Sequence, residues 1–305
     1  MDNQTSVKFH ILPFSLEAKD KPLIFGIFLA IYLTGIFLNL SVIAVICLDA
    51  HLHSPMYVFF CNLSSIDICY TTVVIPNLLY ILLSGDDLLS VTQCFTQIYF
   101  FIAYASAEVT LLFVMGFDRY VAICHPLSYH QILNKKICIL ITVTIWITAS
   151  LNSLLFFILL LRLTFSKVVS IKNFFCDVID IFNASCGGSY EFNILLYAEM
   201  VVFGLFPVIC NVFSYVNIVR VILRIKSKQG RRKTFSTCLS HLIVMIIYYS
   251  TGSVVYVIPF PDKTVIMKQI LSVIYTVEVP MINPLIYSLR NSEIRKASRK
   301  LLKIK

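Results

Sequence analysis

The chain has 305 residues, 58% of them hydrophobic and only 13% charged, with 25 Lys and Arg against 16 Asp and Glu and a formal charge of +9. Its mean hydropathy is +0.85. Soluble domains are about a quarter charged, so this composition excludes an ordinary soluble domain and points to an integral membrane protein. The excess positive charge sits in connections at a membrane face. Anionic lipid and an acidic or cleft-bearing cytosolic partner explain it better than nucleic acid does.

The apolar residues gather in seven runs, about 23 to 48, 56 to 83, 91 to 117, 137 to 161, 192 to 219, 235 to 260 and 265 to 288. Each exceeds the roughly 20 residues that a helix needs to cross a hydrocarbon core of about 30 Å, and none shows the short alternating pattern of a membrane barrel. The expected fold is therefore an all-α membrane protein, a seven-transmembrane-helix bundle. Most Lys and Arg fall in connections that share one side, at Arg119, Lys135, Lys136, 220–233 and 290–305, and the positive-inside rule then puts the N-terminus outside. Residues 1–22 are read as an extracellular tail, 23–290 as the seven-span domain, and 291–305 as a cytoplasmic amphipathic tail. The polar start suggests no cleavable signal, so the first span is expected to act as its own insertion signal.

In the tail, Asn3-Gln4-Thr5 is a glycosylation acceptor pattern, and Asn183-Ala184-Ser185 in a long outer loop is a weaker second. The same pattern at Asn39 and Asn62 lies in or inside the membrane and is rejected. His51 and His53, two apart in the first inner connection, lack a cluster that would complete a metal site. Asp67 lies eleven residues into the second run, about 16 Å deep at 1.5 Å per residue, and Glu108 lies at similar depth in the third. No Lys or Arg stands mid-span beside them. They are protonated, hydrated in a cavity, or paired with a bound cation, since a bare charge there costs about 3 kcal/mol even on the mild insertion scale. At 100° per residue Phe101, Ala105, Glu108, Leu112, Met115 and Arg119 share one face, which is expected to point into the bundle.

Seven of the ten cysteines fall in spans or on the inner side, leaving Cys94, Cys176 and Cys186 on the oxidising side, an odd number. The outer loop from Arg162 to Tyr190 is long enough to be a lid tied to the third span. Pro207 is expected to kink the fifth span, where Glu199, two turns earlier, is either an interfacial acid or a ligand contact. Tyr249, Ser253 and Tyr256 share a face of the sixth span, as pocket hydroxyls or as packing tyrosines. Glu278 is an unpaired acid in the seventh span. That span ends Pro280-Met281-Ile282-Asn283-Pro284-Leu285-Ile286-Tyr287, where prolines break the hydrogen-bond ladder. Residues 291–303 read as a basic amphipathic helix on the membrane.

Leu52-His53-Ser54-Pro55-Met56-Tyr57, Leu63-Ser64-Ser65-Ile66-Asp67, the stretch MGFDRYVAICHPLSY from Met115 to Tyr129, Ser214-Tyr215, Lys233 to Leu242, and PMINPLIYSLRN from Pro280 to Asn291 stand in order along nearly the whole chain. Together they resemble the olfactory receptor family of rhodopsin-like (class A) G-protein-coupled receptors. The resemblance implies a plasma-membrane odorant receptor, not an enzyme and without a cofactor. Such a receptor binds a small, mostly apolar molecule and activates a stimulatory, olfactory-type heterotrimeric G protein. It implies a switch and coupling set of Asp118, Arg119, Tyr120, Tyr215, Lys233, Asn283, Pro284 and Tyr287. It implies an inner polar network of Asn39, Asp67, Glu108 and Asn283, with Asp67 and Glu108 a candidate sodium site. A Cys94 to Cys176 disulfide follows from it too, as do ligand contacts at Phe101, Ile102, Ala105, Ser106, Val109, Phe203, Gly252, Ser253 and Tyr256. Glu199 joins them from its own position.

Three departures stand out. Ser166 occupies the position of a second outer-loop cysteine, which leaves Cys186 single and predicts a looser loop. Tyr248-Tyr249-Ser250-Thr251 lacks the family's glycine in third place. Glu278 replaces a neutral residue, so Glu278 or Glu199 would suit a cationic odorant. The rival readings are a rhodopsin-like receptor for a lipid, peptide or amine, which predicts a larger outer vestibule, and a small transporter, which predicts inverted repeats.

Overall fold

The computed structural model describes residues 7–14, 18–52, 54–187, 189–258, 264–290 and 292–302. Among these residues six helices are long and apolar enough to cross a membrane: Lys21–Leu48, Pro55–Ser84, Val91–Cys124, Lys135–Leu160, Tyr190–Arg224 and Val265–Ile286. With Lys228–Val257, whose apolar part is His241–Val257, they make the seven spans in chain order. The third span is the most buried of the six and the first and fifth are the least, so the third is the axis of the bundle.

Local sequence sets where the spans begin and end. Ser54 and Pro55 open the second, the proline filling a first-turn position whose N–H has no helical partner anyway. Gly85, at φ 74°, closes it in the left-handed conformation that a side chain would strain. The third span starts on a capping box, with the Ser90 hydroxyl accepting from the Gln93 N–H while Gln93 Oε1 accepts from the Ser90 N–H. The expected kink at Pro207 takes the form of a π-helical segment, Met200–Leu205, immediately before it. A second π segment, Ile274–Glu278, lies just ahead of Pro280. Both prolines lack the N–H that would tighten the preceding turn, and the backbone widens there.

The outer end departs from the expected polar tail. Lys8–Ile11 forms β1, the middle strand of a three-stranded sheet, with Leu88–Ser90 (β2) antiparallel on one side and Val168–Ile171 (β3) parallel on the other. Val7, Phe9 and Ile11 alternate onto one buried face, and Phe9 meets Phe165 edge to face at 5.3 Å. Farther along, Gln269 of the seventh span accepts from the Phe14 N–H and donates to the Leu12 carbonyl. Cys94 and Cys176 are disulfide-bonded across 82 residues, and the Cys176 N–H donates to Gln97 of the third span.

The expected looseness around Cys186 is not what the fold has. Cys186 is free and exposed, yet its N–H donates to the Thr164 carbonyl at 2.8 Å while the Thr164 hydroxyl donates to the Cys186 carbonyl at 3.0 Å. Two hydrogen bonds close the loop where a covalent bond is missing. At the inner end Ser292–Leu302 lies as the amphipathic helix foreseen, burying Ile294 and Ala297 and exposing Arg295, Lys296, Arg299 and Lys300.

Candidate functional site

Three tiers of side chains follow one another down the third span, on the face its periodicity defines. Phe101, Glu108, Leu112 and Met115 are buried there, and Ala105 and Arg119 are half-buried.

In the outer tier the Phe101 ring packs between Tyr70 at 5.0 Å and Phe175 of the outer loop at 4.9 Å. Ile102, Ser106 and Val109 are buried beside it, and Phe203 of the fifth span packs half-buried against the same core. The sixth span turns Tyr249 and Tyr256 of the expected face inward, but not Ser253. Tyr248, which the expected face left out, points into the bundle beside Tyr249, and its hydroxyl donates to the Ala105 carbonyl and lies 3.1 Å from the Tyr275 hydroxyl. Gly252 makes room for that tyrosine, since a Cβ there would come within 3.1 Å of the Tyr275 ring. Ser253 is exposed on the outside of the bundle, so it does not line the tier as expected.

The Tyr256 hydroxyl donates to Asp177 Oδ2 of the outer loop at 3.0 Å. Asp177 also caps the short helix Val178–Asn183, whose Asp180 pairs with Lys268 of the seventh span and accepts from Asn173. The loop is thus latched to the sixth and seventh spans. Burial pushes the Asp177 carboxyl above its usual value and Asp180 adds to this, while Lys268, the Ile179 N–H and Tyr256 oppose it. Glu199 also turns inward. It neighbours Asn152 and Ser106, and its Oε2 is buried with no hydrogen-bond partner among the described residues. Glu278 is half-buried and has no ion pair or hydrogen bond among the described residues.

In the middle tier Asn283 Nδ2 donates to both oxygens of Asp67 at 3.2 Å. Asn39 Nδ2 donates to the Gly35 and Pro280 carbonyls, tying the first span to the break in the seventh. Both carboxyl oxygens of fully buried Glu108, with Asn39 Oδ1 and Asn283 Oδ1, have no hydrogen-bond partner among the described residues. Asp67, Glu108 and Asn283 therefore form a set rich in acceptors, and Asn39 joins it through the Pro280 carbonyl of the seventh span.

In the inner tier Arg119 donates to Asp118 Oδ2 from Nη2 at 2.6 Å and from Nε at 3.1 Å, and Tyr129 of the second inner loop donates to Asp118 Oδ1 at 2.7 Å. Burial raises the Tyr129 hydroxyl and Asp118 adds to it, Arg119 opposing. Tyr215 donates to or accepts from His241 Nδ1 at 2.8 Å and bonds the Cys238 carbonyl, joining the fifth and sixth spans. Tyr120 is half-buried with its hydroxyl 3.3 Å from His125 Nε2. Pro284 is buried inside the seventh helix. The side chains of Lys233 and Tyr287, and all of Asn3, lie outside the described residues.

Sequence reasoning missed four members of this tier. Besides Tyr129 and His241, Gly116 and Asn211 meet so closely that a Cβ on the glycine would overlap Asn211 Oδ1. The signals were present: a lone His in the apolar sixth span, an Asn midway along the inner half of the fifth, and a glycine two residues ahead of Asp118.

Comparison with known proteins agrees with this geometry. A family model described as "Olfactory receptor" matches residues 28–305. Gorilla olfactory receptor 1G1 is 40% identical over 301 residues, covering 98% of this chain and 96% of the relative. Dog olfactory receptor-like protein OLF4 is 39% identical with 97% and 96% covered, and human olfactory receptor 7D4 is 39% identical with 97% and 95% covered. Identity of this depth from end to end, on a seven-span helical bundle with an Asp118–Arg119 pair at its inner end, means that the chain belongs to the olfactory receptor family of multi-pass plasma-membrane G-protein-coupled receptors, which are not enzymes.

Proposed function

We propose that this odorant-sensing receptor binds a small, mostly apolar molecule in the outer half of its bundle and thereby activates a stimulatory, olfactory-type heterotrimeric G protein. The observation that carries the reading is the one continuous face of the third span. It joins an aromatic outer tier at Phe101, a buried acid at Glu108 and an ion-paired arginine at Arg119. Phe101, Ile102, Ala105, Ser106, Val109, Glu199, Phe203 and Tyr256 are the proposed ligand contacts. The aromatic and aliphatic members supply area, and the few polar groups supply orientation.

The mechanism is a population shift. A ligand that binds the open-ended bundle more tightly than the closed one favours separation of the fifth and sixth spans at their inner ends. In the closed arrangement Asp118 holds Arg119, and Tyr215 with His241 clips those two spans together. Opening frees Arg119 and Tyr215, with Tyr120, Lys233, Pro284 and Tyr287, to meet the G protein. The middle tier suits sodium, a hard cation that takes oxygen donors. Asp67 and Glu108 would hold it with help from Asn39 and Asn283, whose amide oxygens lack partners. Bound there, the ion supplies the countercharge that two buried acids otherwise lack.

The test is a cyclic-AMP reporter screen of a chemically diverse odorant panel in cells that co-express the olfactory-type G protein, on receptor verified at the surface by labelling. A ligand-dependent rise that Arg119→Ala abolishes supports the reading. A surface-exposed receptor that raises cyclic AMP neither basally nor with any member of the panel counts against the coupling.

A further inference from the structure

One of the proposed ligand contacts is an acid whose counter-group the described bundle does not supply. Glu199 belongs to the inward line of the fifth span, in register with buried Phe192 two turns before it and with Phe203, Pro207, Asn211 and Tyr215 after it. The π segment that begins at Met200 sets that phase, because one wide turn keeps Phe203 and Pro207 on the same side as Glu199 while Met200, Val201 and Val202 face outward. The carboxyl reaches into the seam between the third, fourth and fifth spans. There Asn152 Nδ2 donates to Ser106 Oγ at 2.9 Å, and this pair neighbours the acid.

That arrangement is incomplete. Asn152 and Ser106 are neutral donors, no Lys, Arg or His pairs with Glu199 among the described residues, and its Oε2 is buried without any partner. A buried acceptor left without a donor is costly, and an ionisable group inside a membrane span calls for a named counter-group. Nothing in the described bundle supplies one. A ligand ammonium brings both missing quantities, a charge of opposite sign and several N–H donors, whereas a hydroxyl brings one donor and no charge. The polar rim of Glu199, Asn152 and Ser106 stands beside Ile102, Val109 and Phe203, which accept the apolar remainder of such a molecule.

We propose that Glu199, oriented by Asn152 and Ser106, is a ligand subsite for a protonated amine, which makes this a receptor for small aliphatic or cyclic amines. The inference rests on the odorant-receptor reading and narrows it. Glu199 acts as the ion-pairing and specificity-determining contact; Asn152 and Ser106 are positioning residues. Glu278 plays no part, since it stands in the π segment Ile274–Glu278 of the seventh span, away from the Asn152–Ser106 pair that lines the Glu199 seam.

The experiment uses the full-length receptor purified in lipid nanodiscs and in reporter cells, with matched pairs of probes: isopentylamine against isopentanol, and cyclohexylamine against cyclohexanol. Wild type, Glu199→Gln and Glu278→Gln are compared, with surface labelling and the unfolding midpoint of the unliganded variants as folding controls. The expected result is stabilisation and activation of wild type by the amines at least tenfold more potently than by the alcohols. Glu199→Gln should lose about 30-fold or more in amine potency, as removal of one partner of a buried charge pair does, and keep its alcohol response, while Glu278→Gln matches wild type. Asn152→Ala should weaken amines less than Glu199→Gln does. Equal amine potency in Glu199→Gln and wild type, or alcohols matching amines in wild type, overturns the proposal and leaves the odorant-receptor reading standing. Failure of both probe classes and of the wider panel overturns the proposal and weighs against that reading as well.

Discussion

Gly116→Ala is the smallest change that should move the switch. The glycine lies where the third, fifth and sixth spans converge, with Asn211 Oδ1 inside the volume that a Cβ would fill, Asn211 Cγ 3.3 Å from it and His241 Cε1 3.5 Å from it. Asn211 is short and sits on a helix, so relief requires either its rotation or a shift of the whole fifth span. Overpacking of a closely fitted core costs about 1–3 kcal/mol. The strain falls on the closed bundle, in which Tyr215 and His241 are bonded 2.8 Å apart, and is relieved when the fifth span moves away. A differential of that size multiplies the open-to-closed ratio by about 5 to 150. The expected outcome is raised basal cyclic AMP in cells expressing Gly116→Ala, with a lower unfolding midpoint for the purified protein. Truncating the obstacle should reverse both effects, so Gly116→Ala combined with Asn211→Ala should return toward the Asn211→Ala background. If Gly116→Ala leaves basal signalling and stability unchanged, or if the double variant is no better than the single, the packing argument is wrong.

Tyr129→Phe removes the donor to Asp118 Oδ1, a bond to a charged group worth about 1.5–3 kcal/mol, and leaves Arg119 as the sole partner. Basal signalling should rise, and restoring the hydroxyl should restore quiescence; unchanged basal cyclic AMP would contradict a holding role. Glu108→Gln should abolish the stabilisation that sodium, compared with potassium at equal ionic strength, gives the purified receptor. An undiminished sodium effect would sink the proposed site. At the outer latch burial raises the Asp177 carboxyl, so the folded state holds a proton that the unfolded state has lost. Its contribution is fully present below the unfolded carboxyl value and is lost as pH rises through the folded one. Asp177→Asn should therefore flatten part of the fall in unfolding midpoint as pH rises above about 4. A wild-type latch that gains stability over that range through Asp177 would falsify the assignment.

The spans and the middle tier were legible because charge and amide groups are scarce in apolar runs. Asp67 and Glu108 could be placed at one depth by counting residues, and Asn283 falls on Asp67 in the folded bundle. The strand at Lys8–Ile11 was not legible. Four residues carry too little periodicity, and their partners stand about 80 and 160 positions away. Pro207 and Pro280 announced a break, yet a missing N–H is compatible with a kink or a wide turn, and only packing chose the π form. The sixth span misled for a different reason. It is apolar on nearly every side from Leu242 to Val257, so hydropathy gives it length without rotational phase, and the face expected at Tyr249, Ser253 and Tyr256 left out buried Tyr248 and took in exposed Ser253.

The inner clip shows where phase comes from in such helices. Gly116, Asn211 and His241 are each weak signals alone, since a single small or polar residue in a span is compatible with any orientation. Together they fix three orientations at once. Asn211 can approach the third span only where a side chain is missing, and His241 can bond Tyr215 only if the sixth span presents that edge to the fifth. The same closeness would make the proposed opening all or none, because a fifth span that moves away breaks the Tyr215–His241 bond and the Gly116–Asn211 fit together. A bundle whose lipid-facing residues are interchangeable thus concentrates its switching in the few positions where backbone and polar groups must touch.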